Sequence, residues 1–133
     1  MRGMAHRVLI VDDERRIADT SALILQGVGF QTAVAYDGAC GIDRCREFQP
    51  HLVLTDVVMP GMSGIEMAIT IHREFPQCAI LLISGQAATA DMLEAARRQG
   101  HSFELLAKPV HPNVLLQKVA QILKASDAVA VTK

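Results

Sequence analysis

Four short apolar runs in this chain each end abruptly in polar residues. Val8-Leu9-Ile10-Val11 stops at Asp12-Asp13, and Leu52-Val53-Leu54-Thr55 stops at Asp56. Ile80-Leu81-Leu82-Ile83 stops at Ser84, and Leu105-Leu106-Ala107 stops at Lys108-Pro109. Runs this short without alternation predict strands buried on both faces, as parallel strands are. Between them the period changes. Glu14 to Gln26 sets Ile17, Leu23, Ile24 and Leu25 among polar residues and closes on Gly27 and Gly29, which predicts a helix. Gln31 to Ala35, with β-branched Thr32 and Val34, predicts a short second strand. Asp37 is placed to cap a helix running to about Phe48, where Gln49-Pro50 stops it. The third strand spans about His51 to Thr55. After a loop over 57–62, Ser63 caps a helix through about Glu74, with Pro76 marking its end. A fourth strand over Cys78 to Ile83, a helix over Ala88 to Gln99 and a fifth strand over Glu104 to Leu106 follow. A last helix starts near His111-Pro112-Asn113 and continues through Leu123.

Five repeats of strand then helix predict the α/β class, a doubly wound five-stranded parallel sheet with helices on both faces. Right-handed crossovers restrict the topologies to a few. The order 2-1-3-4-5 makes strands 1, 3, 4 and 5 neighbours, and these are the four that end in polar residues. Strand 2, ending in Ala35-Tyr36, offers nothing comparable and falls at an edge. Ligands of open α/β sheets bind outside the carboxyl ends of the strands. Three carboxylates, a hydroxyl and an ammonium therefore reach one mouth.

Composition narrows the class further. The chain has 133 residues, half of them apolar and a fifth charged, which is a globular profile of one domain. We assign 6–124 to that domain and expect the small, polar tail over 125–133 to fray. A formal net charge of −1 gives no reason to expect nucleic acid or an anionic membrane as the main partner. The apolar runs fall far short of the roughly 20 residues that span a bilayer, and the start lacks a secretory apolar region. Cys40, Cys45 and Cys78 form no CxxC pair, so reduced thiols in a cytoplasmic protein are expected. His6, His51, His72, His101 and His111 are scattered and share no helical metal spacing.

Each polar strand end has a bland reading beside its chemical one. Asp12 and Asp13 could cap the first helix. Asp56 could be a turn residue before Pro60-Gly61, Ser84 a strand-ending hydroxyl, and Lys108 a surface lysine. A third carboxylate changes the balance, because two such charges about 4 Å apart repel by about 4 kcal/mol at an effective dielectric of 20. A divalent cation such as Mg²⁺, which takes oxygen ligands, is the economical remedy. Carboxylates form acyl phosphates as covalent intermediates. Asp56 is then the nucleophile, Ser84 a donor to a phosphoryl oxygen, and Lys108 a point charge for Asp56 or its phosphate. Pro109 pushes Ala107-Lys108 toward extended geometry.

As a set these residues resemble a response-regulator receiver domain, and the resemblance runs from His6 to about Lys124. Asp12-Asp13 match its acidic pair, Asp56 its phosphoacceptor, Ser84-Gly85 its switch hydroxyl and Lys108-Pro109 its lysine with a usually cis proline. The strand order is that family's own, flavodoxin-like order, so it rests on the resemblance as well as on the strand ends. The resemblance implies Mg²⁺ (or Mn²⁺) held by Asp12, Asp13, Asp56 and the backbone carbonyl of Val58. It implies phosphoryl transfer from a sensor histidine kinase or histidine phosphotransfer protein, and a downstream protein target or a homodimer as the readout. By analogy the output surface includes Arg97, Arg98 and Lys118. Two departures stand out. Leu105 occupies the position of the usual switch aromatic, with Phe103 the nearest ring. Val58 and Gln86 flank the phosphoacceptor, and Val58 has no group to orient a water, which predicts slow self-dephosphorylation.

Our reading is a stand-alone phosphoacceptor that switches a protein-interaction surface. The alternatives are a receiver from a larger DNA-binding regulator or hybrid histidine kinase, and an interaction module independent of phosphorylation. A phosphatase of the aspartate-nucleophile type normally carries a second acid two residues after the nucleophile. Val58 stands there instead, so the chain is read as a signalling protein and not as an enzyme.

Overall fold

The structure, a computed structural model, describes residues 6–85 and 89–131 and alternates strand and helix five times. The elements are β1 (Arg7–Val11), α1 (Arg15–Gln26), β2 (Gln31–Ala35), α2 (Gly38–Phe48) and β3 (Leu52–Asp56). They continue with α3 (Gly64–Glu74), β4 (Ala79–Ser84), α4 (Thr89–Arg98), β5 (Glu104–Ala107) and α5 (Pro112–Val131). All pairings are parallel, and the strand order is β2-β1-β3-β4-β5, as the strand ends predict.

Alternation along the strands sorts the core into two layers. Leu9, Val11, Val53, Ile80 and Leu82 face one way and meet Ile42 of α2, Ile71 of α3 and Ala96 of α4. Val8, Ile10, Leu52, Leu54 and Leu81 face the other way and meet Leu25 of α1 and Leu115 and Val119 of α5. Burial on both faces explains why these strands read as continuous apolar runs. At the amino-terminal rim the Arg7 guanidinium donates to the Phe48 and Gln49 carbonyls at 3.1 and 2.8 Å. It thereby satisfies carbonyls that the end of α2 leaves open.

Differences from expectation are confined to ends. β3 and β4 each run one residue further than predicted, because Asp56 and Ser84 still pair with Ile83 and Ala107 in the ladder. α5 runs on through Val131, past the domain boundary expected at Lys124. The segment holds alanines and neither glycine nor proline, so nothing in it stops a helix. Gln86 and the expected helix start at Ala88 lie outside the described residues. Among the described residues no helix is long and apolar enough to cross a membrane.

Two histidines that look unrelated in the sequence meet in space. His72 on α3 and His101, which follows α4, bring their Nδ1 atoms within 2.7 Å. Phe103 lies nearly parallel to the His101 ring, 12° apart. Burial, then the neighbouring His72 and Arg73, hold the His101 pKa below the ordinary imidazole value of 6.5. A base whose folded pKa is lowered binds protons more readily when unfolded. Its contribution to stability is full above the unfolded value and is lost as pH falls through the lowered one. Urea midpoints are therefore expected to drop as pH goes from about 8 to about 5, and to drop less in His101→Gln.

Candidate functional site

Register decides which side chains meet. Val11 pairs with Thr55, Asp56 with Ile83, and Ser84 with Ala107, so the residues that follow on neighbouring strands share one rim. Asp12 leaves β1 with its amide donating to the Ala35 carbonyl at 3.1 Å. Its side chain then turns back to accept the Glu14 amide at 2.9 Å. The cap reading of Asp12 is thus partly right, although Glu14 is the residue at the N-cap of α1.

Asp56 is 8% exposed. One of its oxygens, Oδ1, accepts the Val57 amide at 2.9 Å. The other, Oδ2, lies 3.2 Å from the Lys108 ammonium, whose side chain is about a third exposed. Lys108 is held in turn by its own amide, which donates to the Ser84 carbonyl at 3.0 Å. The Lys108–Pro109 peptide is cis. Ser84 is buried at the end of β4, beside this pair of strands.

Carboxylate oxygens of Asp12, Asp13 and Asp56 all lie within 4.8 Å of one another, with Asp13 exposed and the other two buried. The Asp12 pKa is raised, first by burial and then by Asp56 and Asp13, against the lowering effects of the Glu14 amide and Lys108. Three carboxylates and one ammonium leave two formal negative charges in a space of a few ångströms. A hard divalent cation fits that donor set and that charge.

The loop after β3 is fixed by α3. Ser63 and Glu66 form a reciprocal capping box, with bonds of 3.1 and 3.0 Å. Gly64 donates to the Val57 carbonyl at 2.8 Å, and a side chain at Gly64 would overlap the Asp56 carbonyl oxygen. Reading Ser63 as a cap found the helix start. The Ser63-x-x-Glu66 spacing was the further signal available, whereas the close approach at Gly64 left none in the sequence.

Val58 presents an exposed side chain. Leu105 lies on edge strand β5, paired with Leu82 and 39% exposed, while Phe103 precedes β5 and packs into the core. The expected output residues sit in ion pairs, Arg97 with Glu94 at 3.2 Å and Lys118 of α5 with Glu104 of β5 at 2.9 Å. Arg98 lies 3.9 Å from Glu94.

Known proteins share this fold. A family model described as the response regulator receiver domain matches residues 8–120. The DNA-binding response regulator MtrA of Mycobacterium tuberculosis is 31% identical over 127 residues, covering 96% of this chain and 54% of MtrA. The chain therefore spans about half the length of the curated relatives it matches. A CheY-like receiver domain protein from Methanospirillum hungatei JF-1 superposes with a TM-score of 0.86 at 26% identity, over 94% of this chain and 98% of that one. NtrX from Brucella abortus gives 0.85 at 27% identity, over 97% of this chain and 29% of its own.

Proposed function

This chain belongs to the response-regulator receiver family, and on that premise we propose that Asp56 is its phosphoacceptor, loaded from a phosphohistidine. The carrying observation is the Lys108 ammonium 3.2 Å from Asp56 Oδ2 beside three clustered carboxylates. A carboxylate oxygen of Asp56 attacks phosphorus as the bond to the imidazole nitrogen breaks, leaving the histidine neutral once it takes up a proton. Lys108 and Ser84 hold phosphoryl oxygens, and the Val57 amide keeps the Asp56 carboxylate oriented. Asp12, Asp13, Asp56 and the Val58 carbonyl are the groups that hold Mg²⁺ (or Mn²⁺). The ion supplies charge neutralisation at the phosphoryl oxygens when bound. Catalysis in this design is positioning and electrostatics. The donors are a sensor histidine kinase or a histidine phosphotransfer protein. The readout is a protein target meeting α4, β5 and α5, where Arg97, Arg98 and Lys118 stand.

A second reading is favoured by one observation, the description of MtrA as DNA-binding. In that reading the receiver controls a DNA-binding partner region. A test of the first step serves both. Intact-mass measurement after incubation with acetyl phosphate is expected to show one phosphoryl adduct with Mg²⁺ and none with a chelator. Absence of an adduct from a folded, metal-bound protein would sink the proposal.

Two further outcomes follow from the site. Mg²⁺ is expected to raise the melting temperature of the chain, since a ligand bound only by the folded state stabilises it, and to do so much less in Asp13→Asn. The adduct is expected to persist for minutes or longer, because Val58 offers incoming water no hydrogen bond. A lifetime of seconds would contradict that role for Val58.

A further inference from the structure

Asp56 opens onto a groove lined by two helices. A cavity of about 620 Å³ begins at Asp12, Asp56 and Lys108 and runs between α1 and α5. Its floor is Ile10 and Leu54 with Ile83, and its walls are Ile17 and Ile24 of α1 and Leu115 of α5. That volume lies within the roughly 300–1,000 Å³ usual for small-molecule sites. Ile17 is 42% exposed, so the wall is accessible from solvent. Beyond the acidic cluster and Lys108, Arg16 is the charged residue on the lining.

A molecule that fits this cavity carries a phosphoryl group at one end and an uncharged apolar body at the other. The acceptor chemistry restricts the class further. Loading Asp56 creates a mixed carboxylic–phosphoric anhydride, so the donor must hold its phosphoryl group at a comparable potential. Simple phosphate esters do not, whereas another acyl phosphate is matched by construction. Resting on the phosphoacceptor reading above, we propose that the α1–α5 groove receives the acyl chain of an apolar acyl phosphate and makes it a better direct donor than acetyl phosphate. Asp56 Oδ attacks phosphorus, the bond from phosphorus to the acyl oxygen breaks, and the fatty carboxylate leaves with its electron pair. One carboxylate and one acyl phosphate are consumed and one of each is formed, so no proton or redox partner is needed.

Butyryl and acetyl phosphate test this cleanly, because their leaving carboxylates are of nearly equal basicity and differ by two methylenes. Burying both methylenes in the groove predicts a second-order rate constant on the order of tenfold higher for butyryl phosphate. The rate is read by intact mass in Mg²⁺, with the adduct mapped to Asp56. Ile17→Ser is expected to bring the butyryl-to-acetyl ratio toward one. Leu23→Ser, an exposed position on α1 outside the cavity lining, is expected to keep the ratio of the unaltered chain. Should both donors load Asp56 equally fast, or Ile17→Ser leave the ratio unchanged, the groove has no such role and the phosphoacceptor reading stands. Failure of both donors to load a folded, Mg²⁺-bound chain overturns that reading and the groove's role with it.

Discussion

Asp56→Asn is expected to abolish phosphoryl acceptance completely while leaving the folded state almost as stable as before. The amide keeps the shape of the side chain and an oxygen to accept the Val57 amide, now donated at 2.9 Å. It removes the anionic nucleophile, and an amide oxygen forms no stable phosphoryl adduct under these conditions. Two electrostatic changes oppose one another. Lys108 loses its partner at 3.2 Å, an interaction weakened by the lysine's exposure of about a third. Asp12 loses a carboxylate neighbour that now pushes its pKa up. The net change in unfolding free energy is expected to stay within about 1 kcal/mol, the usual scale of partly exposed pairs. Intact mass and urea melts on the same preparation check both halves. A surviving adduct would move the acceptor elsewhere, with the exposed Asp13 the first place to look.

Gly64→Ala is expected to be the most damaging single-methyl change in the site. A Cβ there would overlap the Asp56 carbonyl oxygen and press on the Asp56 carbonyl carbon and Val57 Cα, at 2.9 and 3.0 Å. These are backbone atoms, so no side-chain rotation relieves the clash. The cost is expected to be on the order of 3 kcal/mol, a large share of a typical domain's 5–15. The strand end that aims Asp56 must shift with it, so loading by acetyl phosphate should fall at least about tenfold in whatever fraction stays folded. Gly27→Ala makes the contrast. That residue has a helical φ of −60 and its nearest Cβ contact is at 3.4 Å. Its replacement is expected to be neutral or mildly stabilising through the unfolded chain. Paired melts of the two variants would show whether it is the methyl group or its place that matters.

The sheet was legible because both core layers are apolar, and its order because of the polar strand ends together with the family resemblance. A strand buried on two faces has no polar phase to disguise it, and Leu52-Val53-Leu54 shows this directly. The mouth was legible for a related reason. Polar residues at the ends of such strands, Asp56 and Ser84 among them, are costly to bury unless they meet partners. What escaped the sequence is whatever depends on separation through space. His72 and His101 are 29 residues apart, and no periodicity links a helix to the loop after another helix. The contact of Gly64 with Asp56 has the same origin, since eight residues of chain conceal an approach that only the folded turn creates. The α1–α5 groove belongs here too, being the space left between two helices that are far apart in the chain.

One helix is seated far more lightly than the rest. Among the described residues, α4 buries Ala96 and partly Leu93, whereas α1 and α5 each bury three hydrophobic residues. A methyl group is a small keel. If Asp56 is loaded as proposed, the added phosphoryl group has a few kcal/mol at most with which to favour one shape over another. Tilting a helix seated on one alanine and a half-buried leucine falls within that range, and lifting one seated on two leucines and a valine does not. On the proposed reading, loading at the rim is therefore expected to show first as a shift of α4 against the more deeply seated α1.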